Sequence, residues 1–168
     1  LPLWREEVHL VASDERAGGQ PTARLAEFSS EHWIAGCEKC RGHLLAAAAD
    51  SGFEPDIVLG IARGGLIPAG SVAYALDCKH LFTMNVEFYT GVGTTRDEPT
   101  LLPPFLDLAE LDDLSVLVVD DVADSGKTLE LVVRVCSEHA GAVRSAVIYE
   151  KPRTLLTPDY AWRRTDQW

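Results

Sequence analysis

An α/β domain organised around a mostly parallel central sheet flanked by helices is what this chain's residue order calls for, on three observations. The runs Ile57 to Ala62 and Ser115 to Val119 are apolar without polar alternation, the composition of strands buried on both faces. Each leads through a short loop of small residues into a helical pattern, and that alternation of strand and helix favours parallel pairing. The 168 residues, 46% apolar and 24% charged, suit a single globular core and exclude a disordered or fibrous chain.

Residues 1–29 form an amino-terminal segment without an assignable element, in which Arg16-Ala17-Gly18-Gly19-Gln20-Pro21 reads as a turn or joint; residues 30–168 read as the domain. From Glu31 to Ser51, Trp33, Ile34, Cys37, Cys40, Leu44 and Leu45 recur at spacings of three and four, which predicts an amphipathic helix stopped by Gly52. Ile57 to Ala62 is the first strand, and Arg63-Gly64-Gly65 ends it. A helix follows over Leu66 to Leu76, with Pro68 near its start where a missing amide is harmless. His80 to Tyr89 reads as a strand. Gly91 to Asp113, with two glycines, three prolines and a polar centre, reads as a long excursion loop. The strand Ser115 to Val119 then runs into Asp120-Asp121-Val122-Ala123-Asp124-Ser125-Gly126-Lys127-Thr128 and a helix to about His139. Val143 to Tyr149 is the last predicted strand, closed by Lys151-Pro152.

Charge and cysteine content narrow the function. Asp and Glu number 26 against 15 Lys and Arg, a net charge of -11, so sequence-independent nucleic-acid binding is disfavoured. No run approaches the roughly 20 apolar residues that span a bilayer, and no secretory leader is visible, so a cytoplasmic protein is expected. Four scattered cysteines do not make a disulfide framework. Cys37 and Cys40 lack a second pair for zinc and read as buried thiols.

The chemistry concentrates at Val116 to Thr128. Ser125 and Gly126 let backbone amides converge at a helix start, whose dipole adds about half a positive charge, a cradle for a phosphate. Asp120 and Asp121 can accept hydrogen bonds from vicinal sugar hydroxyls or help hold Mg²⁺. A phosphorylated ribose satisfies both halves; the bland alternative is that Asp124 or Ser125 merely caps the helix. Gly126-Lys127-Thr128 is not the tail of a nucleoside-triphosphate loop, because position 121 is Asp where that pattern needs glycine.

Val118 to Thr128 resembles the phosphoribosyl-pyrophosphate (PRPP) signature of type I phosphoribosyltransferases. The resemblance implies that Asp120 and Asp121 meet the ribose hydroxyls and the Mg²⁺ shell, that Ser125, Gly126, Lys127 and Thr128 bind the 5-phosphate, and that Asp124 stands near the incoming base as the catalytic acid–base group. Ile61-Ala62-Arg63-Gly64-Gly65 resembles the family's pyrophosphate loop, in which a non-proline cis peptide turns an amide toward the leaving group; Ala62, Arg63 and Gly64 are the counterparts. The excursion at Gly91 to Asp113 falls where the family carries a flexible lid, or hood, with Tyr89 and Arg96 as contributors.

The tail, Glu150-Lys151-Pro152 followed by Pro158-Asp159-Tyr160 and Thr165-Asp166-Gln167-Trp168, resembles the xanthine–guanine branch. That likeness gives Lys151 the 6-oxo oxygen and Trp168 the stacking face of a purine; a cation at a carbonyl favours 6-oxopurines over adenine. The resemblance spans about Glu54 to Trp168, and relatives usually continue beyond the last residue. What it implies is a Mg²⁺-dependent purine salvage enzyme with PRPP and a purine base as partners, and a homo-oligomer, dimer or tetramer. Two other readings remain open: a PRPP-sensing regulator, and an enzyme of the same fold acting on orotate or adenine.

Overall fold

The computed structural model describes residues 38–91, 94–102 and 107–167, and these all fall in the compact unit Trp33–Trp168. In chain order the elements are α1 (Glu38–Asp50), β1 (Ile57–Ala62), α2 (Leu66–Ala75), β2 (Leu81–Gly91), β3 (Thr94–Leu102), a 3₁₀ turn (Leu108–Leu111), β4 (Ser115–Ala123), α3 (Lys127–Ser137), β5 (Ala142–Glu150) and β6 (Tyr160–Arg164). The six strands make one sheet in the order β3-β2-β1-β4-β5-β6. All neighbours run parallel except the β2–β3 pair.

The apolar runs are legible in the packing. Ile57, Leu59 and Ile61 of β1 and Val116 and Val118 of β4 bury on one face with Leu129, Val132 and Cys136 of α3. Val58, Leu117 and Val119 turn to the other face, against Leu44 and Ala48 of α1 and Ala69, Val72 and Ala73 of α2. Strands buried on both faces have no polar side to show, hence the absence of alternation. Deep burial also pushes the Cys136 thiol up to about 11, so it behaves as a small apolar group.

Three differences from the sequence reading concern this frame. Residues 94–102 of the expected excursion form β3, antiparallel to β2 with Val86 opposite Leu101 and Tyr89 opposite Thr95. The segment is polar and carries Pro99, yet β3 lies at the edge of the sheet, where one side of the backbone needs no partner and proline is tolerated. β4 continues past Val119 to Ala123, so the paired acids belong to the strand itself. β6 is a strand that the short segment Tyr160–Arg164 did not announce. Asp159 secures its entry: Oδ2 accepts from the Ser145 amide (2.8 Å) and hydroxyl (2.9 Å), and the Asp159 amide donates to Ser145 Oγ (3.1 Å).

The segment 1–29, Cys37 and Trp168 lie outside the described residues, as do the side chains of Cys40, Tyr89 and Arg96. Among the described residues no helix is long and apolar enough to cross a membrane.

Candidate active site

Pairing along β4 is uneven, and the unevenness makes room for a site. On the β1 side it stops at Val119, which faces Gly60; on the β5 side it continues through Asp120, opposite Val147, to Ala123, opposite Glu150. Past Val119 the neighbour of β4 is no longer a strand. It is the turn Arg63-Gly64-Gly65, entered through a cis peptide between Ala62 and Arg63 and tied back by the Gly65 amide on Ile61 O (2.8 Å).

Gly64 packs directly on Asp121. A Cβ at residue 64 would fall among the carboxylate atoms of Asp121, within 2.6 Å of Oδ1 and closer still to Oδ2. The loop after β1 and the acid pair of β4 therefore form one surface, which their separation in sequence does not reveal.

Each acid braces the backbone behind it: Asp120 Oδ1 accepts from the Asp121 amide (2.8 Å), and Asp121 Oδ1 from the Val122 amide (2.7 Å). Asp120 is only 8% exposed, and its carboxyl is pushed up to about 8, first by burial and then by the charge of Asp121. Two carboxylates whose shared charge is costly suit a ligand that brings either hydroxyl donors or a hard cation.

Beyond Ala123 the chain turns through Asp124 and Ser125 into Gly126, which has φ +79° and opens α3. A side chain at 126 would be strained by that dihedral and would strike Thr154 Oγ1 and the Leu155 amide, the latter at 2.9 Å. Gly126 offers no side-chain cap, and Ser125 Oγ takes the Lys127 amide at 3.4 Å. What stands here is a helix amino terminus suited to an anion. Lys127 is exposed and Thr128 half-buried in the first turn.

The loop from Lys151 to Leu156 closes the far side. The Lys151 amide donates to Ala123 O (3.0 Å) and the Leu155 amide to Ser125 O (2.9 Å). The Lys151 side chain is 4% exposed and its Nζ donates to Gln167 O. Arg153, which the sequence reading did not single out, donates through Nε and Nη2 to Asp124 Oδ1, at 2.9 and 2.6 Å. Asp124 thus serves neither as a helix cap nor as an isolated carboxylate. The hydrogen bonds to Asp124, and then its negative charge, hold the Arg153 guanidinium above its ordinary value.

Of the residues expected to form the site, the structure gathers Ala62, Arg63 and Gly64 with Asp120 and Asp121 on one side, and Asp124 to Thr128 with Lys151 on the other. Trp168 lies outside the described residues.

A central parallel sheet with one antiparallel edge strand, and loops of this kind at the carboxyl ends of β1 and β4, defines the class: this is the type I phosphoribosyltransferase fold. The chain belongs to the phosphoribosyl transferase domain family, whose model matches residues 35–168. It is 39% identical over 100 residues to a xanthine-guanine phosphoribosyltransferase of Roseobacter denitrificans, covering 57% of this chain and 54% of that protein. A xanthine-guanine phosphoribosyltransferase of Cereibacter sphaeroides is 40% identical over 97 residues, 56% of this chain and 53% of its own. The chain thus spans about half the length of the curated relatives it matches. The crystal structure of a purine phosphoribosyltransferase from Pyrococcus horikoshii is similar with a TM-score of 0.66 at 34% identity, over 77% of this chain and 85% of that one.

Proposed function

We propose that the protein transfers the phosphoribosyl group of PRPP to N9 of a 6-oxopurine (xanthine, guanine or hypoxanthine) and releases pyrophosphate. The observation that carries this reading is the packing of Gly64 on Asp121: it sets an acid pair suited to a sugar diol beside a backbone loop suited to a diphosphate, next to the anion-binding turn at Gly126.

In this reading Asp120 and Asp121 accept the ribose 2- and 3-hydroxyls, and Ser125 to Thr128 hold the 5-phosphate with backbone amides and the helix start. Ala62, Arg63 and Gly64 receive the pyrophosphate. Lys151 presents its ammonium to the purine 6-oxo oxygen, and Trp168 stacks on the ring. The bond from C1 to the pyrophosphate oxygen breaks with its electron pair leaving on the diphosphate. The N9–C1 bond forms, and the purine ring proton passes to Asp124. Closure over the sugar falls to the segment from Gly91 to Asp113, with Tyr89 and Arg96 as contributors.

The acid pair fits Mg²⁺ by its chemistry, because its oxygens are hard donors and the Asp120–Asp121 charge is costly without a cation. Among the described residues no three His, Cys, Asp or Glu side chains gather as a metal site, so the rest of the ion's shell would come from PRPP oxygens and water. When bound, Mg²⁺ would neutralise the departing diphosphate.

The uncharged helix α2 leaves Leu66, Ile67 and Tyr74 exposed, Tyr74 lining a surface groove with the exposed Leu81, which supports self-association into a dimer or tetramer. The acidic balance and the lack of a membrane-spanning helix among the described residues support a cytoplasmic location.

The test is incubation with PRPP, Mg²⁺ and each of xanthine, guanine, hypoxanthine, adenine and orotate, with nucleotide followed by chromatography. Nucleotide from a 6-oxopurine is the expected result. Product from adenine or orotate alone would move the specificity elsewhere, and PRPP binding without any product would indicate a sensor.

A further inference from the structure

Asp124 is gripped from across the site. Arg153 Nε and Nη2 both reach its Oδ1, at 2.9 and 2.6 Å, and Nη2 also reaches Oδ2 at 2.5 Å, so one guanidinium engages both oxygens. As a stabilising device this pair is poorly placed. The Arg153 side chain is 67% exposed, and exposed ion pairs contribute little to folding. Asp124 lies two residues before Gly126, which opens α3, and its carboxylate is taken by Arg153. Geometry is what the pair supplies. A carboxylate on a loop rotates about two side-chain bonds, whereas a planar fork bound to both of its oxygens fixes the plane in which its remaining lone pairs point.

The location gives that geometry a use. Arg153 sits on the same short turn as Lys151, and the turn is pinned to the phosphate loop by the Lys151 amide on Ala123 O and the Leu155 amide on Ser125 O. The segment that presents a cation to the base therefore also orients the carboxylate at the neighbouring loop. We propose that Arg153 is a positioning residue, setting the Asp124 carboxylate toward the purine and so coupling base recognition to proton removal. The inference rests on the reading of Asp124 as proton acceptor.

A double-mutant cycle on Arg153→Ala and Asp124→Asn in the full chain tests it. Arg153→Ala should lower kcat about 10- to 100-fold while the PRPP KM stays within about twofold, and in the Asp124→Asn background it should change kcat by less than about twofold. Arg153→Lys keeps a charge without the fork and should recover only a minor part of the loss. The same cycle on calorimetric binding of a purine nucleoside 5′-monophosphate reads the coupling without turnover. Melting curves should show that the Arg153 variants fold as wild type does, as an exposed pair implies.

Effects of the two changes that add, in turnover and in nucleotide binding alike, would overturn the role of Arg153 while leaving Asp124 as it stands. Wild-type turnover in Asp124→Asn alone would remove the proton-acceptor reading, and this inference with it.

Discussion

Gly64 and Asp121 leave no room for a methyl group between them: the carboxylate of one occupies the space where a side chain of the other would begin. The contact joins the turn after β1 to the end of β4, and the register of the two strands makes it possible.

Gly64→Ala should therefore act on the acid, not on the fold. Gly64 is exposed and its φ lies outside the left-handed region, so relief comes from swinging the Asp121 carboxylate away and breaking its hydrogen bond from the Val122 amide. Calorimetry with PRPP and Mg²⁺ should show affinity reduced about 10- to 100-fold, with the urea midpoint little changed. Wild-type affinity would mean that the contact does not shape donor binding.

Asp120 makes stability depend on pH in an unusual direction. Its folded value of about 8 lies above the ordinary 3.8, so the folded chain binds the extra proton, and stability present below about pH 4 is lost as pH rises toward 8. The loss at pH 8 is on the order of 5 kcal/mol at most. Asp120→Asn keeps the shape and an acceptor for the Asp121 amide without the charge. Urea unfolding across pH should find the variant more stable than wild type near pH 8, the difference vanishing near pH 4.

Gly126→Ala meets two obstacles, a left-handed φ of +79° and the backbone of the opposing turn at Leu155. A loss of about 2–4 kcal/mol in urea-derived stability is expected, together with weaker PRPP binding as the two loops are pushed apart. Wild-type stability would show that the opposing turn yields freely.

Lys151→Met removes a buried cation while keeping most of the stem. If Lys151 reads the 6-oxo group, kcat/KM for guanine and xanthine should fall about 100-fold or more with PRPP affinity retained. Because Nζ also holds Gln167 O, a melting curve separates loss of recognition from loosening of the C-terminal segment.

Legibility followed burial. β1 and the first half of β4 announced themselves because a strand with a packed face on each side is apolar without alternation, β5 by its apolar centre Ala146, Val147 and Ile148, and α3 because Leu129, Val132 and Cys136 recur along one stripe. β3 did not, since an edge strand tolerates polar residues and Pro99, and those are the marks of a loop as well. β6 is short and ends in Arg163 and Arg164, so it carries little apolar signal. The acid pair and the small-residue turns were visible as residue types at particular points of the chain, whereas Lys151 entered through the resemblance of the tail. The Arg153–Asp124 bond was not, because a contact between distant loops leaves no periodicity behind.

β1 and β4 part company at Gly60 and Val119, while β4 stays in register with β5 as far as Ala123. The result is a terrace cut into the sheet, roughly 13 Å long at about 3.3 Å per residue, whose riser is the flank of β4 that no strand pairs and against which the Arg63-Gly64-Gly65 turn packs. Such a ledge is a property of hydrogen-bond register. Exchanges among Val, Ile and Leu beneath it can remodel the core while the ledge keeps its height, and altering the ledge requires an insertion or deletion in one of the two strands.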